Sequence, residues 1–354
     1  MADRYWVGGT GNWDTVTTTH WSASSGGAGG ASVPTSSDNV IFDSGSNNAS
    51  YNPTIIDVVS CLNIDFTNPS SGTLTFTLPA GANSLNVFGS WTVHSNIILL
   101  GASSNAILNF KATATGKTIT TNGIAFPDST IDFNGVGGGW TLQDNVTHNG
   151  SHQMNVTKGA FDTGNKNIST PGFNSDNVNT RTVTLGTSTI TVTTALGCQF
   201  SQTTGLTFSG ASSTITLSTG NGGFSGGGLT WGTVNINGNG SNIIVTGSNT
   251  ISALSISAAN GKIVKFTAGT TQTVTTFTAS GTDQNILTLK SSSNGSTWTI
   301  SKSSGTVNCN FLSLQDSTAS GGATFNAGIN STDVSNNSGW VFATKPTSGL
   351  LYFI

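Results

Sequence analysis

Glutamate is absent from the 354-residue chain, and charge of either sign is sparse: 11 Lys and Arg stand against 14 acidic residues, every one of them Asp. Exposed helix positions are filled most readily by Glu, Lys, Arg, Met, Leu and Ala. Apart from Ala and Leu that set is scarce, which excludes long helices. So few cations, with a net charge of −3, also exclude a broad phosphate-backbone footprint, and nucleic acid is not an expected partner. No run approaches the roughly 20 apolar residues of a membrane-spanning helix. The opening MADRYWVGGTGNW has no basic segment followed by an apolar run, so no signal peptide is expected. Cysteine is limited to Cys61, Cys198 and Cys309, an odd number of widely separated residues, Cys198 and Cys309 lying beside apolar neighbours. They read as small hydrophobes in strands, without the spacing of a metal site.

What fills the chain instead is Thr, Ser, Asn and 46 Gly. Thr and Val favour strands, and Asn, Asp, Ser and Gly favour turns. A surface of hydroxyls and amides could belong to a disordered chain, but 8 Trp, 18 Phe and an apolar fraction of 34% argue for a core.

Residues 1–50 carry Trp6, Trp13 and Trp21 in quick succession, then a Gly/Ser/Ala stretch, then VPTSSDNVIFD. Alternation after Pro34 predicts a short strand with Val40 and Phe42 on one face and Ile41 on the other. This segment is expected to close one end of the fold. Residues 51–309 form the expected body, a monotonous series of runs of 4 to 6 residues such as LTFTL, ILNF and STIDF. Within it, 144–180 is poorer in apolar residues and contains His148, His152 and Met154, so a long loop or irregular rung is expected there.

The second half of the body repeats. Leu206, Leu229, Leu254 and Phe277 begin similar strands at spacings of 23, 25 and 23, and second strands follow with Ile215, Ile243, Ile263 and Ile286. A repeat of about 23 residues fits one coil of a parallel β-solenoid, in which stacked coils share a core that one coil cannot bury alone. The expected fold is therefore all-β, a single-stranded parallel β-helix of about 11 or 12 coils with capped ends. The alternative is a β-sandwich or jelly roll, since alternation does not reveal strand direction. Residues 310–354 are expected to form the second cap, with Trp340 and Phe342 closing the stack. The terminal LLYFI is expected to dock on the protein's own body or on a partner subunit.

The opening segment, with Trp6, Gly8, Gly9, Gly11, Trp13 and Trp21 and then Pro34, Asp38, Val40 and Phe42, resembles the start of bacterial and phage surface proteins with β-helical bodies, among them the autotransporter-associated repeat proteins. The closing segment, with Asp316, Ser317, Gly321, Asn330, Asn337, Gly339, Trp340 and Phe342, looks like a recurrent ending of such proteins. The resemblance covers roughly 80 residues and implies a β-helix on a cell or virion surface that serves adhesion, decoration or host recognition. A phage virion component, a tail spike, fibre or capsid decoration, is the reading that also suits the missing signal peptide; a secreted bacterial adhesin is the alternative. Fold alone does not decide chemistry.

A glycan hydrolase or lyase would need two carboxylates close together. The candidate pairs are Asp128 with Asp132 and Asp38 with Asp43, although Asp beside turns commonly bonds its own backbone. Calcium, which takes carboxylate and backbone oxygens, has candidate ligands in Asp14, Asp38 and Asp43, or in Asp316 and Asp333. No metal or cofactor is expected, because His148 and His152 lack further ligands and no nucleotide-binding or Gly-x-Ser-x-Gly motif occurs. Glycan contact is considered at Trp91, Trp140, Trp231 and Trp298, and ice binding at the Thr-rich strands 183–194 and 267–279. The expected whole is a non-enzymatic structural or adhesive protein, with a polysaccharide-binding or polysaccharide-degrading spike as its rival. Its expected partners are other virion proteins or a host-surface glycan, and a homo-oligomer, such as a trimer, is expected.

Overall fold

The computed structural model describes residues 1–47, 49–67, 72–78, 81, 83–94, 96–101, 106–218, 221–238, 240, 242–257 and 261–344. It forms two compact units, Met1–Ile215 and Thr216–Ile354. Each is built as a parallel β-solenoid of short strands, with coils of about 23 residues.

In the first unit every early coil sends one strand to each of three ladders. The first ladder runs through Asn39–Phe42, Ile64–Phe66, Trp91–Val93 and Lys117–Thr120, with Val40 paired to Ile64, Ile64 to Trp91 and Trp91 to Ile119. The second aligns Val59, Leu85, Leu108, Ile131 and Met154. The third joins Gly11–Trp13, Pro53–Ile55, Leu74–Leu78 and Ile97–Gly101. All of these pairings are parallel. Strand side chains alternate between faces, so in-register pairing puts like residues above like. The inward ones are fully buried: Val40, Phe42, Phe66, Leu85 and Leu108 are all 0% exposed.

The inward aromatics form an unbroken chain of ring contacts through this unit. Trp6, Phe42, Phe66, Trp91, Phe110, Phe133, Phe161, Phe173, Phe200 and Phe208 follow one another with centroid separations between 4.4 and 6.3 Å. Each fully buried ring of this size contributes roughly 1.5 to 3 kcal/mol of burial, with a further increment from offset and edge-on geometry.

The second unit repeats the plan. Val234, Leu254 and Phe277 align in one ladder, Ile243, Val264, Leu289 and Leu314 in another, and Val307, Phe325 and Trp340 in a third. Coil length varies while the strands stay parallel, with register shifts in three ladders. Side-chain bonds between adjacent coils span 18 residues at Asn308–Asn326 and 28 at Ser90–Thr118.

Three sequence expectations need correction. Segment 144–180 is not a long loop but carries irregular rungs: it contains Val146–Thr147, Met154–Asp162 and Ile168–Asn174, all in parallel ladders, with the register shifting at Thr157–Gly159 and at Pro171. The repeat register is correct where Leu254 pairs with Phe277, but Val234, not Leu229, stands opposite Leu254. Leu229 lies in the turn before Thr230–Ile236. Likewise the core positions are Val264 and Leu289, both 0% exposed, whereas Ile286 is 38% exposed and Ile263 is half-buried. A one-residue slip exchanges the faces of a strand, and adjacent Ile and Val offer no composition signal to set it.

At the N-terminus, Asp3–Trp6 pairs parallel with Asn39–Phe42 on one edge and antiparallel with Trp21–Ser22 on the other. Trp6, Trp13, Trp21 and Phe42 are all 0% exposed, and ring contacts link Trp13 to Trp21, Trp21 to Trp6 and Trp6 to Phe42. His20 stacks on Trp6 at 4.8 Å and bonds the Val7 carbonyl through Nδ1 at 2.9 Å. In the second unit Trp340 is buried against Phe325 and donates from Nε1 to Ser317 Oγ at 3.0 Å, while Phe342 is half-buried. The LLYFI expectation falls on 350–354, outside the described residues.

Candidate functional site

The carboxylates nominated from sequence are occupied separately. Asp128 Oδ1 meets His152 Nδ1 at 2.8 Å and accepts the Ser151 backbone N–H at 2.9 Å. Partial burial pulls its carboxyl upward, but the bonds from His152 and Ser151 outweigh that and hold it below the usual range. Ser151 Oγ also approaches His152 at Nδ1, 3.5 Å away. A nucleophile and its orienting acid occupy opposite ring nitrogens in a Ser-His-Asp triad, so this cluster is not one.

Asp132 lies on the outward face of Thr130–Leu142, where its Cα partners are Asn109 and Asn155. It belongs to a polar column, Asn86, Asn109, Asp132, Asn155 and Asn174, one residue per coil. Within that column Asn109 Nδ2 donates to Asn86 Oδ1 at 3.2 Å. Asp132 accepts from Thr157 Oγ1 at 2.5 Å and Asn134 Nδ2 at 3.2 Å. Burial raises its carboxyl above the usual range, against the pull of these bonds and of Lys111 and Lys158. Asp128 and Asp132 share no bonding partner among the described residues.

The remaining acidic candidates act as turn locks. Asp38 accepts from Ala2 N, Thr35 N and Thr35 Oγ1, Asp14 from Val16 N and Thr17, and Asp43 from Gly45 N. Asp316 accepts from Gly295 N and Asn336 Nδ2, and Asp333 from Asn337 Nδ2. Among the described residues no three His, Cys or Asp converge into a group able to hold a metal. Cys61, Cys198 and Cys309 are buried free thiols, and burial pushes all three above the usual thiol range.

The four Trp considered for glycan contact do not reach the surface. Trp91, Trp140, Trp231 and Trp298 are at most 1% exposed, because in-register stacking places them at inward positions of their strands. Of the two Thr-rich strands, 267–279 exposes Thr273, Thr275, Thr276 and Thr278, whereas Thr184, Thr189, Thr191, Thr193 and Thr194 of 183–194 are half-buried; Thr273 continues an exposed column with Thr250 and Thr230 of the two preceding coils.

A notch in the first unit went unnoticed in the sequence. Asn134 pairs with Lys158 and Gly139 with Ala160, so Gly135–Val136–Gly137–Gly138 stand opposite the single residue Gly159. The longer segment loops outward, and Val136 at its tip is 71% exposed. Glycine is needed here for close approach: a Cβ on Gly138 would lie 2.1 Å from the Ala112 carbonyl oxygen, and one on Gly159, at φ +77°, 2.3 Å from that of Gly135. On the far side the turn around Asn177–Thr180 is tied down by Arg181.

Arg181 is 1% exposed, and its guanidinium donates to Ser175 Oγ and to the carbonyls of Ser175, Asn179, Gln202 and Thr204 at 2.5 to 3.0 Å. The resulting recess of about 420 Å³ is lined from four successive coils by Thr115, by Val136 to Gly138, by Lys158 to Ala160 and by Asn179 to Thr182. Its volume is in the range of small-molecule sites. The GVGGG run was the signal available in the sequence, but a glycine run alone does not distinguish an outward bulge from a turn.

Family models, curated proteins and solved structures were all compared with the chain, and none matches it.

Proposed function

We propose that the chain is a non-enzymatic structural or adhesive surface protein, a component of a phage virion in which a stiff β-solenoid body presents an attachment surface. The observation that carries this reading is where the polar side chains go. Asn109 bonds Asn86, Asp144 receives the Thr121 N–H at 2.9 Å, Asn165 the Thr187 N–H and Asn167 the Thr189 N–H at 3.0 and 2.9 Å, each from one coil to a neighbouring one. The polar groups thus reinforce the stack, and the ladders and buried aromatics do the rest. Such a body holds a surface patch at a fixed position without needing a moving part. The autotransporter-like pattern of Trp and Gly at the N-terminus supports placement on a surface, and the scarcity of charge suits a protein working outside a cell.

The test pairs two assays on the purified full chain. Fluorescently labelled protein is applied to bacterial cells, and the same preparation is incubated with a panel of bacterial polysaccharides while reducing ends and unsaturated products are followed. Saturable cell binding with no product release supports the proposal. Product release would assign a glycan-degrading spike instead, with Asp132 the first carboxylate to replace. Failure of a specific antibody to label purified phage particles would sink the virion placement alone.

A further inference from the structure

We propose that the notch around Gly159 binds a carboxylated sugar residue of a surface glycan; this rests on the attachment reading above and names the ligand class. Two of the chain's 11 cationic residues, Lys158 and Arg181, line this one recess, and no carboxylate lines it. Among the described residues no carboxylate contacts Arg181: its partners are carbonyls and a hydroxyl, so it contributes fixed positive charge behind the wall. Asp176, the acid that acts on it, accepts the Gln202 N–H at 2.7 Å. Lys158 is the half-buried cation of the lining. Its ammonium makes no hydrogen bond or ion pair among the described residues; Asp132 feels its charge, but that carboxylate does not line the recess and is held by Thr157 and Asn134.

The rest of the lining selects a sugar over a bare anion. Gly137, Gly138 and Gly159 leave a floor without side chains, where a flat ring can approach the backbone. Thr115, Thr180, Thr182 and Asn179 offer hydroxyl and amide partners, and Val136 and Ala160 offer small apolar contacts for the C–H face of a pyranose or an acetamido methyl. Because coils stack about 4.8 Å apart, four coils span roughly 14 Å, the order of length of two or three linked sugars. A neutral glycan would make no use of the Lys158 charge, and a phosphate alone would leave the apolar contacts unused.

The experiment is a titration of the full chain, followed by saturation-transfer NMR and calorimetry. The probes are the methyl glycoside of N-acetylneuraminic acid and methyl glucuronide, with the methyl ester of each and sodium sulfate as comparisons. At least one acid is expected to bind saturably, its ester at least tenfold more weakly, and its affinity is expected to fall as salt is raised. Lys158→Met and Ala160→Phe are each expected to weaken binding tenfold or more. No saturable binding of either acid, equal binding of acid and ester, binding of sulfate as tight as that of the sugar, or binding untouched by both variants overturns the proposal. The ester comparison needs no altered protein, so it stands even where a variant folds poorly. Cell attachment that persists in Lys158→Met removes this site while leaving the attachment reading intact.

Discussion

His148 is 2% exposed, with Nδ1 3.3 Å from Thr170 Oγ1. Burial is the largest influence on it and pushes its pKa down to about 4, against the pull of Asp128; the neighbouring His152 pushes the same way as burial. An unfolded histidine titrates near 6.5. The unfolded chain therefore binds more protons between these values, so this residue's contribution is fully present above pH 6.5 and is lost as pH falls through about 4. The loss at pH 4 amounts to about 3 kcal/mol. Urea midpoints for the chain and for His148→Gln, measured from pH 7.5 to 4, are expected to converge as the pH drops. Asp128 is held below the usual carboxylate range, so its own contribution is lost at still lower pH. Arg181 gives a second residue-scale expectation. Arg181→Met leaves the carbonyls of Ser175, Asn179, Gln202 and Thr204 without their donor and is expected to cost about 3 kcal/mol in denaturant unfolding. Arg181→Lys is expected to recover only part of that, because an ammonium cannot reproduce the planar fork.

Strands set the next scale, and Met154–Asp162 shows what was legible there. Its inward residues Met154, Val156 and Phe161 are buried, but the unpaired Thr157 and the register shift at Gly159 break strict alternation, and the outward Asn, Thr and Lys give the segment a loop's composition. Pattern reading succeeded where alternation was clean, as at Val40–Phe42, and failed where a bulge or an Ile–Val pair left two registers equally plausible. The same limits hid the candidate site. Arg181 looks like any isolated cation in sequence, and the notch exists only because coils of unequal corner length are stacked. Conversely, the Trp residues were legible as large and spaced, but their parity within each strand decides between core and surface, and that parity is fixed by pairing. Two substitutions test the element-level account. Gly159→Ala, which forces a side chain at φ +77° against the Gly135 carbonyl, is expected to cost more than about 1 kcal/mol. Phe133→Ala removes a ring 4.9 Å from Phe110 and 4.4 Å from Phe161 and is expected to cost about 3 to 5 kcal/mol. Calorimetric or denaturant unfolding reads both.

At the scale of the whole chain, stability in each unit is a sum of nearest-neighbour terms, because a coil touches chiefly the coils before and after it. Hydrogen exchange is accordingly expected to be slowest in central rungs of the first unit, such as Ile107–Phe110, and faster toward Asp3–Trp6; uniform protection would argue for a single cooperative block. Insertions should be absorbed at corners, where the separation of paired residues already ranges from 18 to 30 while the strands stay parallel. The short antiparallel strand at the N-terminus has a further consequence. A parallel stack is a template that copies itself: each rung offers the next the same row of donors and acceptors, so an open terminal rung would accept a rung from another molecule as readily as one of its own. Trp21–Ser22 runs the opposite way along Asp3–Trp6 and occupies that row. In the terms of polymer growth, it is a chain terminator, and a molecule stripped of it would be the seed of a fibre.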